Sequence, residues 1–245
     1  FMFTTDSDVP TFYEVDPDYS ELVLGQSDVN TAEFTKYTQD IPSLSNYPQM
    51  YAVIESSEVD LIRVGGEQKL KKSVTVIGLD GKLMYPLTNT FNSIDSITLT
   101  PINIPWLTVS GFSFKPVGSA PDKLYPLKIK RNNVKINNTL YLGGDAAANI
   151  PVQQLVTIER CFNTTVDNIT SDSLSDGRID FNYVVSGFCN AKLRVENMVG
   201  FDGWAQVDGN YMRDVKVADS VIDRVGGHYH CYDFKLSDSV SRGPS

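Results

Sequence analysis

The stretch LRVEN, residues 193–197, contains a pattern that recurs along the chain and predicts its fold. An apolar or β-branched residue, a spacer and a second aliphatic residue are followed by one short, usually polar residue and then by Asn, Asp or Gly. The copies are VTVIG (74–78), LTVSG (107–111), VKINN (134–138), TTVDN (164–168), LRVEN (193–197), VKVAD (215–219) and FKLSD (234–238). Each copy predicts a short strand with period-two alternation that ends at a residue able to turn the chain.

The spacing of these copies predicts a solenoid. Successive third residues are 33, 27, 30, 29, 22 and 19 residues apart, and no copy shows the 3.6-residue period of a helix. Repeats of about 20 to 30 residues with one strand each are typical of stacked coils. We therefore expect an all-β parallel β-helix, with strands about 4.8 Å apart from coil to coil. The Asn, Asp or Gly after each strand is expected at a left-handed corner, where asparagines can stack and hydrogen-bond.

The charge of the chain is concentrated at its beginning. Residues 1–50 hold nine acidic residues and one basic residue, so they carry -8 of the net charge of -9. We therefore predict an acidic N-terminal linker or cap over residues 1–50 and a parallel β-helix over residues 51–245. Because residue 245 follows closely on a repeat, we expect this β-helix to be cut short at its C-terminal end.

Composition excludes several classes of function. The acidity argues against a nucleic-acid partner, because phosphate binding needs a basic surface. No apolar run approaches the length of about 20 residues that spans a membrane, so membrane insertion is not expected. Cys161, Cys189 and Cys231 occur one per coil and are predicted to be buried thiols, because they lack the close pairing of a metal site. No nucleotide, dinucleotide or zinc motif is present, and we predict neither a cofactor nor a metal.

Three acidic residues fall at comparable positions on successive repeats: Asp172, Asp202 and Asp223. If the coils stack, neighbouring carboxylates would lie about 5 Å apart and those two coils apart about 10 Å. Glycosidases use carboxylate pairs at such distances, so these residues are our candidates for acid, base or nucleophile. The alternative is that they are surface residues that form ion pairs with Arg224 and Arg242.

The chain has two histidines, His228 and His230, in one predicted strand. Both can transfer protons near neutral pH, and both are candidates for positioning a substrate. They share strand parity with Phe234 and Leu236, which are predicted to point inward. Unless the chain bends between them, the histidines would instead be partly buried and structural.

A further group of residues resembles the lining of a sugar groove: Arg178, Asp180 and Trp204, with Arg224 as an additional substrate-binding candidate. Flat aromatic faces contact the apolar side of a sugar ring, and charged groups bind its hydroxyls. The alternative is a turn at each Asp-Gly pair, with Trp204 packed against a neighbouring coil or subunit.

The repeats, the apparent entry into a solenoid over residues 51–78 and the acidic segment before it together resemble phage tailspikes with a right-handed parallel β-helix. This resemblance implies a homotrimer on the virion tail, outside the cell, that joins other tail proteins through its N-terminal side. It also implies host cell attachment through a bacterial surface polysaccharide, an O-antigen or capsule, which a depolymerase activity could hydrolyse. Other β-helical proteins share this architecture. A non-catalytic structural or adhesive solenoid and a polysaccharide lyase or epimerase of non-viral origin therefore stay open as alternatives.

Overall fold

A computed structural model describes residues 2–3, 11–115, 125–142, 154–171, 182–201 and 203–242. The chain divides into two compact units. Unit 1 consists of Phe1–Asp16 and Pro105–Ser245, and unit 2 of Pro17–Ile104. No helix in the described ranges combines the length and apolar character that would be needed to cross a membrane.

The regular structure is almost entirely strand. In chain order the strands are β1 (Met2–Phe3), β2 (Thr11–Val15), β3 (Leu22–Leu24), β4 (Met50–Ile62), β5 (Gln68–Ile77), β6 (Ser96–Pro101), β7 (Leu107–Ser110), β8 (Ser113–Phe114), β9 (Tyr125–Ile129), β10 (Val134–Tyr141), β11 (Gln154–Glu159), β12 (Phe162–Ser171), β13 (Tyr183–Phe188), β14 (Ala191–Glu196), β15 (Val199–Gly200), β16 (Ala205–Asn210), β17 (Arg213–Ala218), β18 (Val221–Ile222), β19 (Tyr232–Ser237) and β20 (Val240–Ser241). Four 3-10 helices cover Gln26–Asp28, Thr31–Glu33, Pro42–Leu44 and Leu79–Gly81.

Unit 1 is built from two parallel sheets. Sheet A has the order β1-β8-β10-β12-β14-β17-β19, with the short strands β7, β15, β18 and β20 paired alongside, and sheet B has the order β2-β9-β11-β13-β16. From β9 to β17 the chain passes alternately through sheet B and sheet A, so that each passage through both sheets makes one coil. This confirms the prediction of an all-β fold with parallel strands stacked from coil to coil.

The register of sheet A follows the sequence repeat. The third residues of six repeats pair directly from strand to strand: Val109, Ile136, Val166, Val195, Val217 and Leu236. The four in the middle of this column are fully buried. Each such side chain stabilises the fold by about 1.5–3 kcal/mol relative to an exposed one, which fixes the register because a slip by one residue would expose the column.

The corners of the coils are left-handed, as predicted for the last residue of each repeat. This residue has a φ between 49° and 78° at Gly111, Asn138, Asn168, Asn197, Asp219 and Asp238. Two of these asparagines hydrogen-bond to the preceding coil: Asn168 Nδ2 donates to Asn138 Oδ1 at 2.7 Å, and Asn197 Nδ2 donates to Asp167 Oδ1 at 2.9 Å. Each hydrogen bond ties one coil to the next.

The parallel β-helix does not begin at residue 51, as the sequence predicted, because residues 51–104 belong to unit 2. Strands β4, β5 and β6 pair antiparallel, in a sheet of order β3-β6-β4-β5. The repeat at residues 74–78 therefore belongs to a hairpin, and Gly78 has a φ of -88° rather than a left-handed corner. The prediction was wrong here because alternation of apolar residues is the same in parallel and antiparallel strands.

The acidic first 50 residues do not form one segment. Strand β2 pairs in parallel with β9 and so belongs to sheet B, while residues 17–50 belong to unit 2. In unit 2, the Asn30 side chain accepts a hydrogen bond from the Ala32 amide at 3.3 Å and caps a single 3-10 turn. The predicted acidic cap is not found in the described residues.

Candidate functional site

The outer face of sheet B carries a groove, which we call the sheet groove. Its volume is about 490 Å³. Two aromatic side chains, Tyr125 and Phe188, lie among its lining residues with the polar side chains of Gln154, Thr157 and Ser186. The groove therefore combines flat apolar faces with hydrogen-bonding groups.

The floor of the sheet groove is set by the register of sheet B. Lys128, Thr157, Ser186 and Asp208 are register partners on β9, β11, β13 and β16. In-register residues of parallel strands point to the same face of the sheet, and the neighbours of this column pack into the core. The first three side chains line the sheet groove, so Asp208 lies next in the column on the same face.

Internal contacts fix the polar groups of the sheet groove. Lys128 Nζ lies 2.9 Å from Glu159 Oε2, and Thr157 Oγ1 donates to Gln154 Oε1 at 2.9 Å. Burial raises the pKa of the Tyr125 hydroxyl above its ordinary value, so this hydroxyl stays protonated at neutral pH and can donate a hydrogen bond.

An aromatic corner borders the sheet groove at Phe188 and continues over Tyr211, Tyr229, His230 and Tyr232. The Phe188 and Tyr211 rings meet edge to face at 5.7 Å, and the Tyr211 and Tyr229 rings at 5.1 Å. The His230 ring lies 4.3 Å from Tyr229 and 5.9 Å from Tyr232. Left-handed backbone at Tyr211 and His230 turns the chain at this corner and brings the rings of successive coils together.

At the end of the floor column lies what we call the His228 cluster, which consists of Tyr183, Asp208 and His228. His228 Nε2 lies 2.9 Å from Asp208 Oδ2 and 3.2 Å from the Tyr183 hydroxyl. The Asp208 side chain is 3% exposed, whereas that of His228 is 25% exposed. Burial raises the pKa of Asp208, although the Gly209 amide, His228 and Arg224 act in the opposite direction. Burial, helped by the charge of Asp208, raises the pKa of Tyr183 to about 12.

Arg224 and Trp204 lie beside the His228 cluster. The exposed Arg224 guanidinium stacks over the half-buried Trp204 ring, 4.7 Å from its centroid. Its charge lowers the pKa of both Asp208 and Tyr183. The structure therefore brings together three of the predicted substrate-binding residues: Trp204, Arg224 and His228.

The two histidines diverge, because the chain bends between them. Residues 226–231 form no continuous strand, and His230 has a φ of 47°. His228 turns toward Asp208, whereas His230 joins the aromatic corner, where its Nδ1 lies 3.1 Å from the Tyr232 hydroxyl. The bend that the sequence could not decide is therefore present. Because of it, the histidines do not continue the strand alternation of Phe234.

Asp223 is the one predicted catalytic carboxylate among the described residues. It is buried, and Arg242 contacts its Oδ1 through Nε at 3.0 Å and through a terminal nitrogen at 2.9 Å. Strands β15, β18 and β20 pair in register, and the residues that follow them occupy equivalent positions on successive coils. These residues are Phe201, Asp223 and Arg242. The Arg242 guanidinium also lies 3.7 Å from the Phe201 ring centroid.

The other predicted site residues lie outside the described ranges: Asp172, Arg178, Asp180 and Asp202. Their roles in catalysis and in sugar binding stay predictions. Within the described ranges, no group of three or more His, Cys, Asp or Glu side chains is arranged to hold a metal ion.

Tyr183 and Asp208 were missed by sequence reasoning. Neither belongs to a local motif, and each meets His228 only through the stacking of coils. A usable signal was the pattern shared by LVTI (155–158) and VVSG (184–187), two apolar residues followed by a hydroxyl residue. It aligns Thr157 with Ser186, and the register of the next strand adds Asp208. The repeat that is apparent in the sequence belongs to the strands of sheet A and does not include those of sheet B.

No family model and no curated protein sequence matches the chain. Solved structures do match. The tailspike gp61 of Pseudomonas phage phi297 is similar with a TM-score of 0.51 and 10% identity, over 97% of this chain and 51% of that one. The Gp54 tailspike of Acinetobacter baumannii bacteriophage AP22, which was solved in complex with a capsular saccharide, has a TM-score of 0.41 and 10% identity, over 98% and 51%.

The chain thus spans about half the length of these tailspikes. At 10% identity, the similarity to the phi297 tailspike concerns the fold. It agrees with the parallel stacking seen in sheets A and B. The chain therefore has a parallel β-helix-like fold of the kind found in a phage tailspike.

Proposed function

We propose that this chain binds a bacterial surface polysaccharide along the sheet groove, as part of a tailspike-like protein. The observation that carries the proposal is the composition of the groove: the aromatic rings of Tyr125 and Phe188 among amide, hydroxyl and charged side chains, on an open face of stacked strands. Aromatic rings pack against the apolar faces of sugars, and the polar groups fix their hydroxyls. A row of equivalent positions on successive coils suits a ligand that is itself a repeating chain.

The wider tailspike interpretation is also a proposal. It includes a right-handed β-helix, assembly as a homotrimer, a place on the virion tail outside the cell, and attachment to other tail proteins through the N-terminal side. The support for it is the fold shared with the phi297 tailspike. The sequence repeat adds to this support, because six of its copies stack in register.

The proposal also has a version that includes catalysis, in which the chain hydrolyses the bound polysaccharide. Its candidate catalytic residues are Asp172, Asp202 and Asp223. The contact between Asp223 and Arg242 favours a structural role for that carboxylate, because a buried charge without its partner is strongly destabilising. This contact also supports the second candidate function, a non-catalytic adhesive solenoid. Reducing-end release by wild type and by the Asp172→Asn, Asp202→Asn and Asp223→Asn variants separates the two.

Binding is tested with the full chain against capsular and O-antigen polysaccharides purified from a panel of bacteria. We expect Tyr125→Ser and Phe188→Ser each to weaken binding about tenfold or more, because each removes an aromatic contact worth about 1.4 kcal/mol or more. Tyr37→Ser is the matched control, since Tyr37 is an exposed aromatic residue of unit 2. Surface plasmon resonance measures the affinities. Equal affinities for all three variants, or no binding by wild type, would contradict the proposal.

A further inference from the structure

The outer surface of sheet A is polar along the strands that carry the sequence repeat. At the second position of the repeat, the register partners on successive strands are Lys135, Thr165, Arg194, Lys216 and Lys235. Some of these side chains have ion-pair partners beside them: Lys135 Nζ lies 3.0 Å from Asp167 Oδ2, and an Arg194 nitrogen lies 2.9 Å from Asp214 Oδ2. Water and internal ion pairs satisfy such a surface, so it does not require a partner.

The short strands beyond the left-handed corner differ, because their outer surface carries what we call the valine stripe. It consists of Val199, Val221 and Val240, which are register partners on β15, β18 and β20. These residues are 38%, 36% and 58% exposed, whereas Met198 and Ile222, one position away in the chain, are fully buried. Three successive coils therefore present an apolar side chain to solvent, with a spacing of about 4.8 Å.

The same column continues on the two preceding coils. Thr170 of β12 is the register partner of Val199, and Leu140 of β10 is the register partner of Thr170. Thr170 is exposed and Leu140 is half-buried, so both contribute to the outer surface. Exposed apolar residues that are scattered singly need no explanation, but a continuous apolar column on an otherwise polar surface is typical of an interaction site.

The two margins of the valine stripe carry opposite charges. The acidic margin is the corner before the short strands, where Asp219 and Asp238 are exposed on successive coils. Neither carboxylate forms an ion pair within the described part of the chain, and like charges that lie side by side repel each other. The basic margin lies past β18 and β20, where Arg224 and Arg242 are exposed. A partner with cations opposite the acidic margin would relieve the repulsion.

A second copy of this chain has the required distribution of charge. When copies face each other with their coils stacked in the same direction, rotation about an axis along the solenoid brings the acidic margin of each copy opposite the basic margin of its neighbour. An antiparallel arrangement would bring acidic margin to acidic margin. The parallel arrangement also matches the spacing of the side chains, because every copy repeats about every 4.8 Å along the stack.

We infer that the valine stripe is the surface through which copies of this chain pack around a common axis parallel to the solenoid. This inference rests on the homotrimer of the proposed function, whose interface it names. In a trimer, the three copies of Val199 meet at one level of the axis, those of Val221 at the next and those of Val240 at the third. Each level removes three apolar side chains from water, and the charged margins surround this apolar centre.

Cysteine cross-linking of the full chain tests both the surface and the parallel direction. In Val240→Cys, a short bifunctional thiol reagent should join two copies and give a covalent dimer on a denaturing gel, because identical residues meet at the axis. Lys235→Cys is the matched control and should give no dimer, since Lys235 lies on the same coil but outside the stripe. The native thiols contribute little, because Cys161 and Cys189 are buried and burial raises the pKa of Cys231 to about 11.

Sedimentation equilibrium measures the assembly without a cross-linker. Val221→Asp should raise the dissociation constant of the assembly about tenfold or more, because it places a charge in a contact that excludes water. Thr165→Asp, at a half-buried position on the polar outer surface of β12, should leave the dissociation constant unchanged. Circular dichroism establishes that both variants are folded.

The outcomes separate this inference from the proposed function. A trimer without the Val240→Cys cross-link, or one that a folded Val221→Asp variant retains, would overturn the interface and leave the homotrimer and polysaccharide binding intact. A monomer at every concentration would overturn the interface and the homotrimer, while surface plasmon resonance decides on polysaccharide binding independently. Lost polysaccharide binding in Val221→Asp with unchanged assembly would assign the stripe to the ligand and overturn the interface. If Val221→Asp fails to fold, the Val240→Cys cross-link decides alone.

Discussion

Glu58 illustrates how a single carboxylate ties distant segments of unit 2 together. Its carboxylate accepts hydrogen bonds from Lys71, from Asn92 at 3.0 Å and from the Ser93 hydroxyl at 3.0 Å. The hydrogen bond from Lys71 is the main cause that lowers the pKa of Glu58 from 4.5 to about 2. This network fastens strand β4 to β5 and to the segment before β6.

The lowered pKa predicts how stability depends on pH. A carboxyl group whose folded pKa lies below its unfolded value stabilises the fold above the unfolded value, and this contribution is lost as the pH falls toward the folded value. We expect unit 2 to lose about 1–2 kcal/mol from this group between pH 4.5 and pH 2, after allowance for solvent screening. Glu58→Gln should remove that pH dependence, whereas Glu21→Gln, at an exposed position, should keep it. Urea denaturation followed by circular dichroism measures both, and equal pH profiles would contradict the assignment.

Residue chemistry alone did not locate the His228 cluster. The sequence showed that histidine is rare and that Arg224 and Trp204 suit a sugar, and the structure brings these residues together. It did not show that Tyr183 and Asp208 approach His228. These residues lie 45 and 20 positions before His228 in the chain, respectively, and meet it only through coil stacking. A contact of this kind depends on the exact length of each coil, which sequence periodicity gives only approximately.

Among the elements, the coil corners were predictable where asparagine, aspartate or glycine occupies them. Four coils each have two further left-handed corners that the sequence did not reveal. They fall at Arg160 and Asn163, Cys189 and Lys192, Tyr211 and Asp214, and His230 and Asp233. Most residues at these corners are not turn formers, so the stacking of neighbouring coils imposes the conformation against local preference.

Lys192 is the clearest case of such a conflict. It has a φ of 57°, and the equivalent corners of the adjacent coils hold Asn163 and Asp214. Asn163 Nδ2 donates to Asn133 Oδ1 at 2.8 Å, so an amide at residue 192 would extend an existing ladder. We expect Lys192→Asn to raise the free energy of unfolding by about 0.5–1 kcal/mol, because asparagine tolerates left-handed backbone better than lysine.

The matched control for this prediction is Lys216→Asn. Lys216 lies inside β17, where the backbone is extended and asparagine is disfavoured. This control should lower the free energy of unfolding or leave it unchanged, as measured by the midpoint of urea denaturation. A decrease in stability for Lys192→Asn as large as that for Lys216→Asn would show that the corner conformation is not strained.

At the scale of the whole molecule, the sequence predicted the stacked coils and misplaced where they begin. The strands of residues 51–104 have the same alternation as the coils, but they pair within an antiparallel sheet. Conversely, residues 11–15 lack the repeat and still supply strand β2 of sheet B. Pairing partners are chosen by tertiary contacts, and a single strand pattern does not encode its partner.

We propose above that a polysaccharide binds along the outer face of sheet B. Hydroxyl-radical footprinting with mass spectrometry tests it most directly, on the full chain with and without a polysaccharide that it binds. We predict that Tyr125 and Phe188, which line the sheet groove, lose reactivity on binding, while the exposed Tyr37 of unit 2 keeps its reactivity. Protection confined to unit 2 or to sheet A, with Tyr125 and Phe188 unchanged, would contradict the claim.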